Sequence, residues 1–539
     1  MALNRILFVC LLVAFAHSAF GQKNRYMVFF KDKEGTPYSV SDPSKFLSVR
    51  AIERRVKHNA PILNEDLPVS PAYLTGVRNA GAEVYFPTRW MNGVLVQCTP
   101  DLLPTLTALP YVDRVELAAP NSVLTIGGRT RSPGRTKSSK SAVTDTQLSM
   151  LGLDKMHEDG FHGEGIVIAF LDAGFIGVNT TEPFADVVQE GRVNIEASKD
   201  FVYNSGDVFQ YDDHGTMVFS VVSGFQDGIF TGGAYEAAYH LYVTEEVPTE
   251  YRIEEYNWLF AAEHADSAGV HIIHSSLGYN DFQGTEFDYE KSEMDGKTTV
   301  VSKAAQMAAD RGIVVIVSAG NEGGTSWQMI TSPADSKDVL AVGSVTPDGV
   351  RSGSSSIGPS ADGRIKPDVA ALGVGTSVIE GSGNTGRASG TSLAAPLVTS
   401  LAAGILQRYP SLTNVELLET IRMSASQSSS PDKFLGYGIP DYERIVLMLE
   451  KEIRDDFFQV YPNPSFTDSI VIKPLFPEEV DVCTIELISM DGKSVFNYET
   501  GFSRANPTYT KSLVQFASGQ YFVRIHWNSK TFVYRFVKG

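Results

Sequence analysis

Five short runs with apolar centres through the middle of the chain constrain the fold more than any other feature. They cover residues 166–171 (Ile-Val-Ile-Ala-Phe-Leu), 239–243, 271–275, 313–318 and 339–345. Each is too short for a buried helix and lacks the apolar–polar alternation of a strand with one wet face. Such runs are strands covered on both faces, as in a parallel sheet. Segments with helical spacing lie between them, over residues 214–222, 254–268 and 300–311. The alternation predicts a doubly wound, mostly parallel α/β domain over residues 145–450.

At 539 residues the chain exceeds what one core supports, and further domains are expected. Residues 22–120 predict a small α+β unit. It has strands over 25–30, 82–86, 93–98 and 112–117 and helices over 43–56, 71–80 and 100–109. The first helix is expected to carry Phe46, Val49, Ile52 and Val56 on one face. Residues 121–144 are expected to form a flexible linker, with Arg129, Arg131, Arg135, Lys137 and Lys140 and no acid between 127 and 141. From 455 to 539, short alternating segments are separated by Asp491-Gly492, Ser518-Gly519 and Asn528-Ser529, the pattern of a small β-sandwich.

Asn4-Arg5 precedes an apolar run over 6–16 and then Ser18, Ala19 and Gly21, the layout of a signal peptide cleaved after residue 21. The run is too short to span a bilayer, and no later stretch does so. The chain is therefore expected to be secreted, and to act outside the cell or on its outer surface. A net charge of −18 argues against nucleic acid as a partner. Of three cysteines, Cys10 falls in the signal, and Cys98 and Cys483 fall in different predicted domains, so no internal disulfide is expected.

Ligands of open α/β sheets bind beyond the carboxyl ends of the strands. Asp172 ends the first predicted strand, Ser276-Leu277-Gly278 the third and Asn321 the fourth. His214 and Ser392 open helices that start from the same edge. Each alone reads as a cap or turn residue. Together, one carboxylate, one imidazole, one amide and one hydroxyl on one rim form the parts of a nucleophilic site. His271 and His274 have the spacing of metal ligands, but on a strand they face opposite sides, so both are read as core residues.

These motifs resemble those of the subtilisin-like serine proteases, the subtilases of peptidase family S8. The carriers are Phe170-Leu171-Asp172-Ala173-Gly174, His214-Gly215-Thr216-Met217-Val218, Ala319-Gly320-Asn321 and Gly390-Thr391-Ser392-Leu393-Ala394-Ala395-Pro396, in that order. The resemblance implies a secreted endopeptidase with Ser392 as nucleophile, His214 as base, Asp172 as its orienter and Asn321 as oxyanion donor. In such a site losing that donor costs ~10²–10³ in kcat. It also implies that Ser276, Leu277 and Gly278 pair with the substrate backbone. Thr331 stands where the family often has glycine at the base of the S1 pocket, and should disfavour large aromatic P1 residues. Met217, Phe219 and Ala173 depart from the family pattern. The glycine-rich stretch 224–234 stands where the family has a calcium loop but offers only Asp227. No metal is assigned, no cofactor is required for the chemistry, and a structural calcium stays open.

The flanks acquire roles by the same resemblance. Residues 22–120 resemble subtilase propeptides, which fold with and inhibit their enzyme, giving a zymogen. The tail, with Val460-Tyr461-Pro462-Asn463-Pro464 and Gly519-Gln520-Tyr521-Phe522-Val523, resembles the sorting domain of type IX secretion cargo. The expected partners are protein or peptide substrates, the chain's own propeptide and an outer-membrane secretion machinery, with the enzyme a monomer. Two rivals remain: a catalytically inactive subtilase-like binding protein, and a serine esterase, against which the absence of a Gly-x-Ser-x-Gly elbow at Ser392 counts.

Overall fold

The computed structural model describes residues 22–120, residues 144–450 apart from Pro248, and residues 457–539 apart from Phe476, Glu478, Glu479, Arg504, Asn528 and Ser529. The expected signal peptide and basic linker lie outside the described residues, save Thr144 at the linker's end. The chain divides into two compact units, Met1–Ile445 and Val446–Gly539.

The first unit is built on a seven-stranded sheet. Across it run Val369–Leu372, Leu340–Val345, Val314–Ser318, Ile272–Ser275, Val167–Asp172, Ala238–Val243 and Lys199–Asp200. Every adjacent pair is parallel. All five apolar runs are strands, fully buried in four cases and with one half-buried residue, Ala238, in the fifth. Two strands were not foreseen. Val369–Leu372 is only four residues, two of them alanine, and Lys199–Asp200 is a two-residue edge. From Val167–Asp172 the chain goes out to the edge at Lys199–Asp200, fills the gap with Ala238–Val243, then crosses to the other side with Ile272–Ser275. This reversal opens a crevice at the carboxyl end of Asp172, where α/β sheets place their ligands.

Helix Thr391–Arg408 packs against four of the parallel strands and against helix His214–Ser223. It is buried on every side from Thr391 to Leu406, as a helix apolar all round must be. Both helices start at the carboxyl rim of the sheet. The opposite face is covered by Ile253–Ala268 and Val300–Asp310.

The N-terminal part folds as an antiparallel sheet in the order Glu83–Thr88, Gly93–Cys98, Asn24–Phe30, Val112–Ala119. Strand Asn24–Phe30 alternates between two cores. Tyr26, Val28 and Phe30 face its own helices, with Val77 and Leu106. Met27 and Phe29 join Phe86, Leu95 and the residues of Ile253–Ala268 in the core of the α/β part. The two parts thus share one continuous apolar layer.

The first predicted helix requires correction. It begins at Val49 and ends at Lys57, preceded by a separate turn at Pro43–Lys45 and capped by Ser48, whose hydroxyl accepts from the Ala51 N–H. Val49 and Val56 are each 73% exposed, and the buried residues are Ala51, Arg54 and Arg55. Tertiary demand overrides the apolar stripe because this face meets the C-terminal ends of two helices, where carbonyls need donors. Arg54 donates to the Val270 carbonyl at 2.7 Å and the Arg311 carbonyl at 3.1 Å, and Arg50 to the Gly269 carbonyl at 2.8 Å.

Charge pairing completes the joint. Asp266, wholly buried, is shared by Arg55 at 2.8 Å, Arg89 at 2.6 Å and Arg54. Asp66 is gripped by both Nη atoms of Arg55 at 3.1 and 3.2 Å and by Arg311 Nε at 2.8 Å. Burial works against the Asp66 carboxylate, but Arg55 and Arg311 override it and hold its pKa down to about 2. Glu263 accepts from the Arg89 and Trp90 N–H groups at 2.9 and 3.1 Å.

The second unit pairs a three-stranded sheet (Phe458–Tyr461, Ser469–Pro474, Tyr509–Ser512) with a four-stranded one (Ser494–Thr500, Cys483–Ser489, Gly519–Trp527, Lys530–Lys538). Residues of both sheets, including Ile472, Ile485, Val523, Ile525 and Phe536, share its core. Cys98 and Cys483 are buried free thiols.

Removing one member of a buried ion cluster leaves its partners uncompensated. Asp266→Ala should therefore destabilise the first unit by about 3–5 kcal/mol, read as a fall in its denaturation midpoint. Asp310→Ala, which removes a surface carboxylate bonded to Gln306, should stay within about 0.5 kcal/mol.

Candidate active site

Strand Val167–Asp172 delivers Asp172 to the crevice with 1% of its surface exposed. The next N–H, that of Ala173, donates to Asp172 Oδ1 at 2.7 Å. Helix His214–Ser223 begins directly against this strand end. A side chain at Gly215 would lie 2.3 Å from the Gly174 carbonyl and 2.9 Å from Asp172 Cβ, so only glycine permits the approach. His214 Nδ1 then sits 2.7 Å from Asp172 Oδ1. The carboxylate can only accept, so Nδ1 carries the proton and Nε2 is left as the basic nitrogen.

The departures at this end have visible consequences. Ala173 brings no hydroxyl, and Asp172 Oδ2 is buried without a donor. Phe219 is fully buried among Phe170, Phe184 and Tyr239, with ring centroids 4.8–5.6 Å away. Met217, 5% exposed, lies on the same helix. Both are packing residues behind the imidazole. Sequence reading passed over Asp212, whose Oδ1 accepts the His214 N–H at 2.7 Å. Burial opposes the charged imidazole, but Asp172 and then Asp212 and Asp213 outweigh it, lifting the His214 pKa to about 9.

Ser392 is the second residue of its helix, 7% exposed, and its backbone N–H falls in the first turn, which has no partner four residues back. Its hydroxyl donates to the Ser276 carbonyl at 3.2 Å, and no hydrogen bond joins it to His214. Asn321 Oδ1 accepts from the Thr391 N–H at 2.9 Å and the Thr391 hydroxyl at 3.1 Å. This fixes the amide and leaves its Nδ2 donors for another acceptor. Gly390 caps the helix, and a Cβ there would lie 3.5–3.7 Å from the Asn321 amide and the Ser392 nitrogen. Glycine keeps that space open.

Ser276 does more than line the rim. Its hydroxyl donates to the Ser392 carbonyl at 2.9 Å and lies 2.9 Å from His274 Nε2, whose Nδ1 is 2.8 Å from the Thr399 hydroxyl. His274 is fully buried, and burial with the nearby His214 pushes its pKa down to about 3, so it acts as a neutral link beneath the serine. His271 lies apart, its Nδ1 accepting the Val167 N–H at 3.0 Å. The two histidines share no ligand.

Gly278 and Thr331 meet. A Cβ at Gly278 would lie 2.1 Å from Thr331 Oγ1, and one at Gly320 2.8 Å from it. Thr331, 2% exposed with Oγ1 unpartnered, therefore fills the space between two glycines. Tyr279 and Ser332 exchange backbone hydrogen bonds of 2.9 and 3.2 Å, which pins this pocket wall. Beside it, Glu245, Glu250 and Glu254 bring oxygens within 4.8 Å of one another, a cluster the sequence spacing did not reveal. Burial lifts Glu245 to about 8 and Glu254 well above the carboxylate range.

The parallel sheet with this crowded carboxyl rim defines a doubly wound α/β protein. Residues 163–438 match the Subtilase family, and the chain belongs to that family. Residues 25–137 match the peptidase S8 propeptide domain of Bacteroidota, and residues 459–539 match a secretion system C-terminal sorting domain. The latter marks a chain destined for the medium or the outer-membrane surface. Among curated relatives, Subtilisin NAT of Bacillus subtilis subsp. natto is 27% identical over 283 residues, 52% of this chain and 65% of that one. Subtilisin of Bacillus pumilus is 27% identical over 289 residues, 52% of this chain and 92% of its own. The chain thus spans just under two thirds of the first of these relatives. The structure of the epidermin leader peptide processing serine protease of Staphylococcus aureus shares the fold, with a TM-score of 0.55 and 16% identity over 80% of this chain and 100% of that one. Among the described residues, no helix is long and apolar enough to cross a membrane.

Because Asp172 raises the His214 pKa above its ordinary 6.5, the charged pair stabilises the fold fully below about pH 6.5, and this contribution is lost as pH rises through about 9. An NMR titration of the Ser392→Ala chain should place the imidazole transition near 9, and Asp212→Asn should move it lower. An unshifted transition in Asp212→Asn would remove that carboxylate from the account.

Proposed function

We propose that this chain is a secreted serine endopeptidase, made as a self-inhibited proenzyme and working through an acyl-enzyme. The observation that carries the reading is the 2.7 Å bond from His214 Nδ1 to buried Asp172. In the neutral form of the imidazole, favoured as pH rises toward about 9, this bond makes Nε2 the base on the rim where Ser392 stands. In this reading the Ser392 hydroxyl leaves the Ser276 carbonyl, to which it donates at 3.2 Å, and takes His214 Nε2 as its acceptor. Ser392 Oγ then attacks the scissile carbonyl as Nε2 takes its proton, and Asp172 stabilises the imidazolium. The oxyanion is met by Asn321 Nδ2 and the Ser392 N–H, both held before substrate arrives, so no reorganisation is needed. The leaving amine takes the proton from His214, and water then repeats the sequence on the acyl-enzyme.

Ser276, Leu277 and Gly278 offer an extended edge to which a substrate strand can add. Thr331 shortens the adjoining pocket, favouring small over large aromatic P1 side chains. The chemistry needs no cofactor, and a structural calcium has no assigned site. Strand Val112–Ala119 of the propeptide domain would lead the chain on into the site as a product-like inhibitor. The tail would hand the monomeric enzyme to an outer-membrane secretion machinery. An inactive binding protein would need neither the oriented imidazole nor the fixed amide.

Activity-based probes separate these readings. A peptidyl fluorophosphonate with Ala at P1 should label the mature wild-type chain and leave Ser392→Ala unlabelled, and should react faster than its Phe counterpart. Equal labelling of Ser392→Ala would overturn the serine mechanism. Faster reaction with Phe would overturn the role of Thr331.

A further inference from the structure

Where the helix Val49–Lys57 crosses onto the α/β part, a cleft of about 280 Å³ remains in the joint. Arg50, Glu53, Arg54, Lys57 and His58 line it from one side, and His271 faces them from the other. The five helix-side residues follow the i, i+3, i+4, i+7, i+8 spacing of a single helical face. Three cations therefore look into a small cleft against one carboxylate.

The hydrogen bonds around the cleft show which groups are committed. Arg54 is spent on the Val270 and Arg311 carbonyls and on Asp266. Arg50 gives Nε to the Gly269 carbonyl at 2.8 Å and Nη2 to the Ala268 carbonyl at 3.2 Å, which leaves its Nη1 for the cleft. His271 Nδ1 accepts the Val167 N–H at 3.0 Å, so its proton is on Nε2. His58 Nδ1 lies 3.0 Å from the Asn414 nitrogen and 3.1 Å from Asn414 Oδ1, which ties that edge of the ring to Asn414. Among the described residues, neither the His271 Nε2–H nor the Lys57 ammonium has a protein acceptor. The His271 imidazole therefore offers the cleft a donor. Burial and the surrounding cations keep both imidazoles neutral, at about 4.

We propose that this cleft is a binding site for a phosphate-like oxyanion, held by Lys57, Arg50 and the Nε2–H of His271. Compact tetrahedral oxyanions accept from several converging donors at once, and charge-assisted bonds of this kind are the strong ones. Lys57 and Arg50 belong to the propeptide and His271 to the α/β part, so the site is complete only while the two are docked. Binding then favours the docked state by mass action, about 100-fold when the anion stands at 100 times its Kd. The consequence for latency rests on the protease reading, whereas the site itself does not.

The test uses the full-length Ser392→Ala chain, with mass spectrometry first confirming that the propeptide is still attached. Inorganic phosphate should raise its Tm above that in chloride of equal ionic strength. Lys57→Gln should lose most of this rise, and Glu53→Gln, which removes the lone carboxylate, should enlarge it. Exclusion of phosphate from the protein surface would raise every variant alike, so an equal rise in Lys57→Gln overturns the proposal, as does no rise at all. Tripolyphosphate in a parallel arm separates a free anion from a phosphate chain: a rise at lower concentration assigns the chain, and a rise with phosphate alone assigns the free ion.

Discussion

Burying the Asp172 carboxylate at the end of a parallel strand is the constraint on which the α/β part turns. A buried, unpaired carboxylate is costly by several kcal/mol, and among the described residues the Asp172 carboxylate has the Ala173 N–H and the His214 imidazole as donors. Meeting it requires a helix to begin at His214, hard against the strand end, and Gly215 to let it do so. That helix packs on Thr391–Arg408, whose own start sets Ser392 and Thr391 beside Asn321. One satisfied charge thus fixes the relative placement of an imidazole, a hydroxyl and an amide that lie far apart in the chain.

The joint between the N-terminal part and the α/β part obeys the same rule with more charges. Asp66, Asp266 and Glu263 are buried there with Arg54, Arg55, Arg89 and Arg311. Such a cluster is weak evidence for net stability, since desolvation offsets much of the attraction. Its force lies in geometry: each guanidinium has a defined carboxylate or helix-end carbonyl, and a slipped docking would leave several unpaired. The apolar layer around Met27 and Phe29 supplies the driving force, while the ions set the register.

Much of this was legible in the sequence because both-face burial leaves a strong mark. The five apolar runs became strands within a residue or so, and the strand-end rule led to Asp172, His214, Asn321 and Ser392, which the fold gathers on one rim. Chemistry carried by tertiary neighbours left no such mark. Helix Val49–Lys57 shows an apolar stripe, yet it buries arginines because its neighbours are helix ends and aspartates from far along the chain. His274 was read correctly as core, but its place beneath Ser392 depends on Ser276 and Thr399 meeting in space. The Glu245 cluster joins a strand end to the first turn of a helix. Val369–Leu372 was invisible because two alanines carry little pattern.

The propeptide domain docks on helix Ile253–Ala268 through its own ion cluster, and the proenzyme reading proposed above requires that this joint be undone. If Ser392 performs that release, the most direct measurement is intact mass with N-terminal sequencing of the secreted wild-type and Ser392→Ala chains. The account predicts a wild-type product lacking the propeptide and a Ser392→Ala chain that retains it. A Ser392→Ala chain trimmed at the same position and the same rate as the wild type would contradict it.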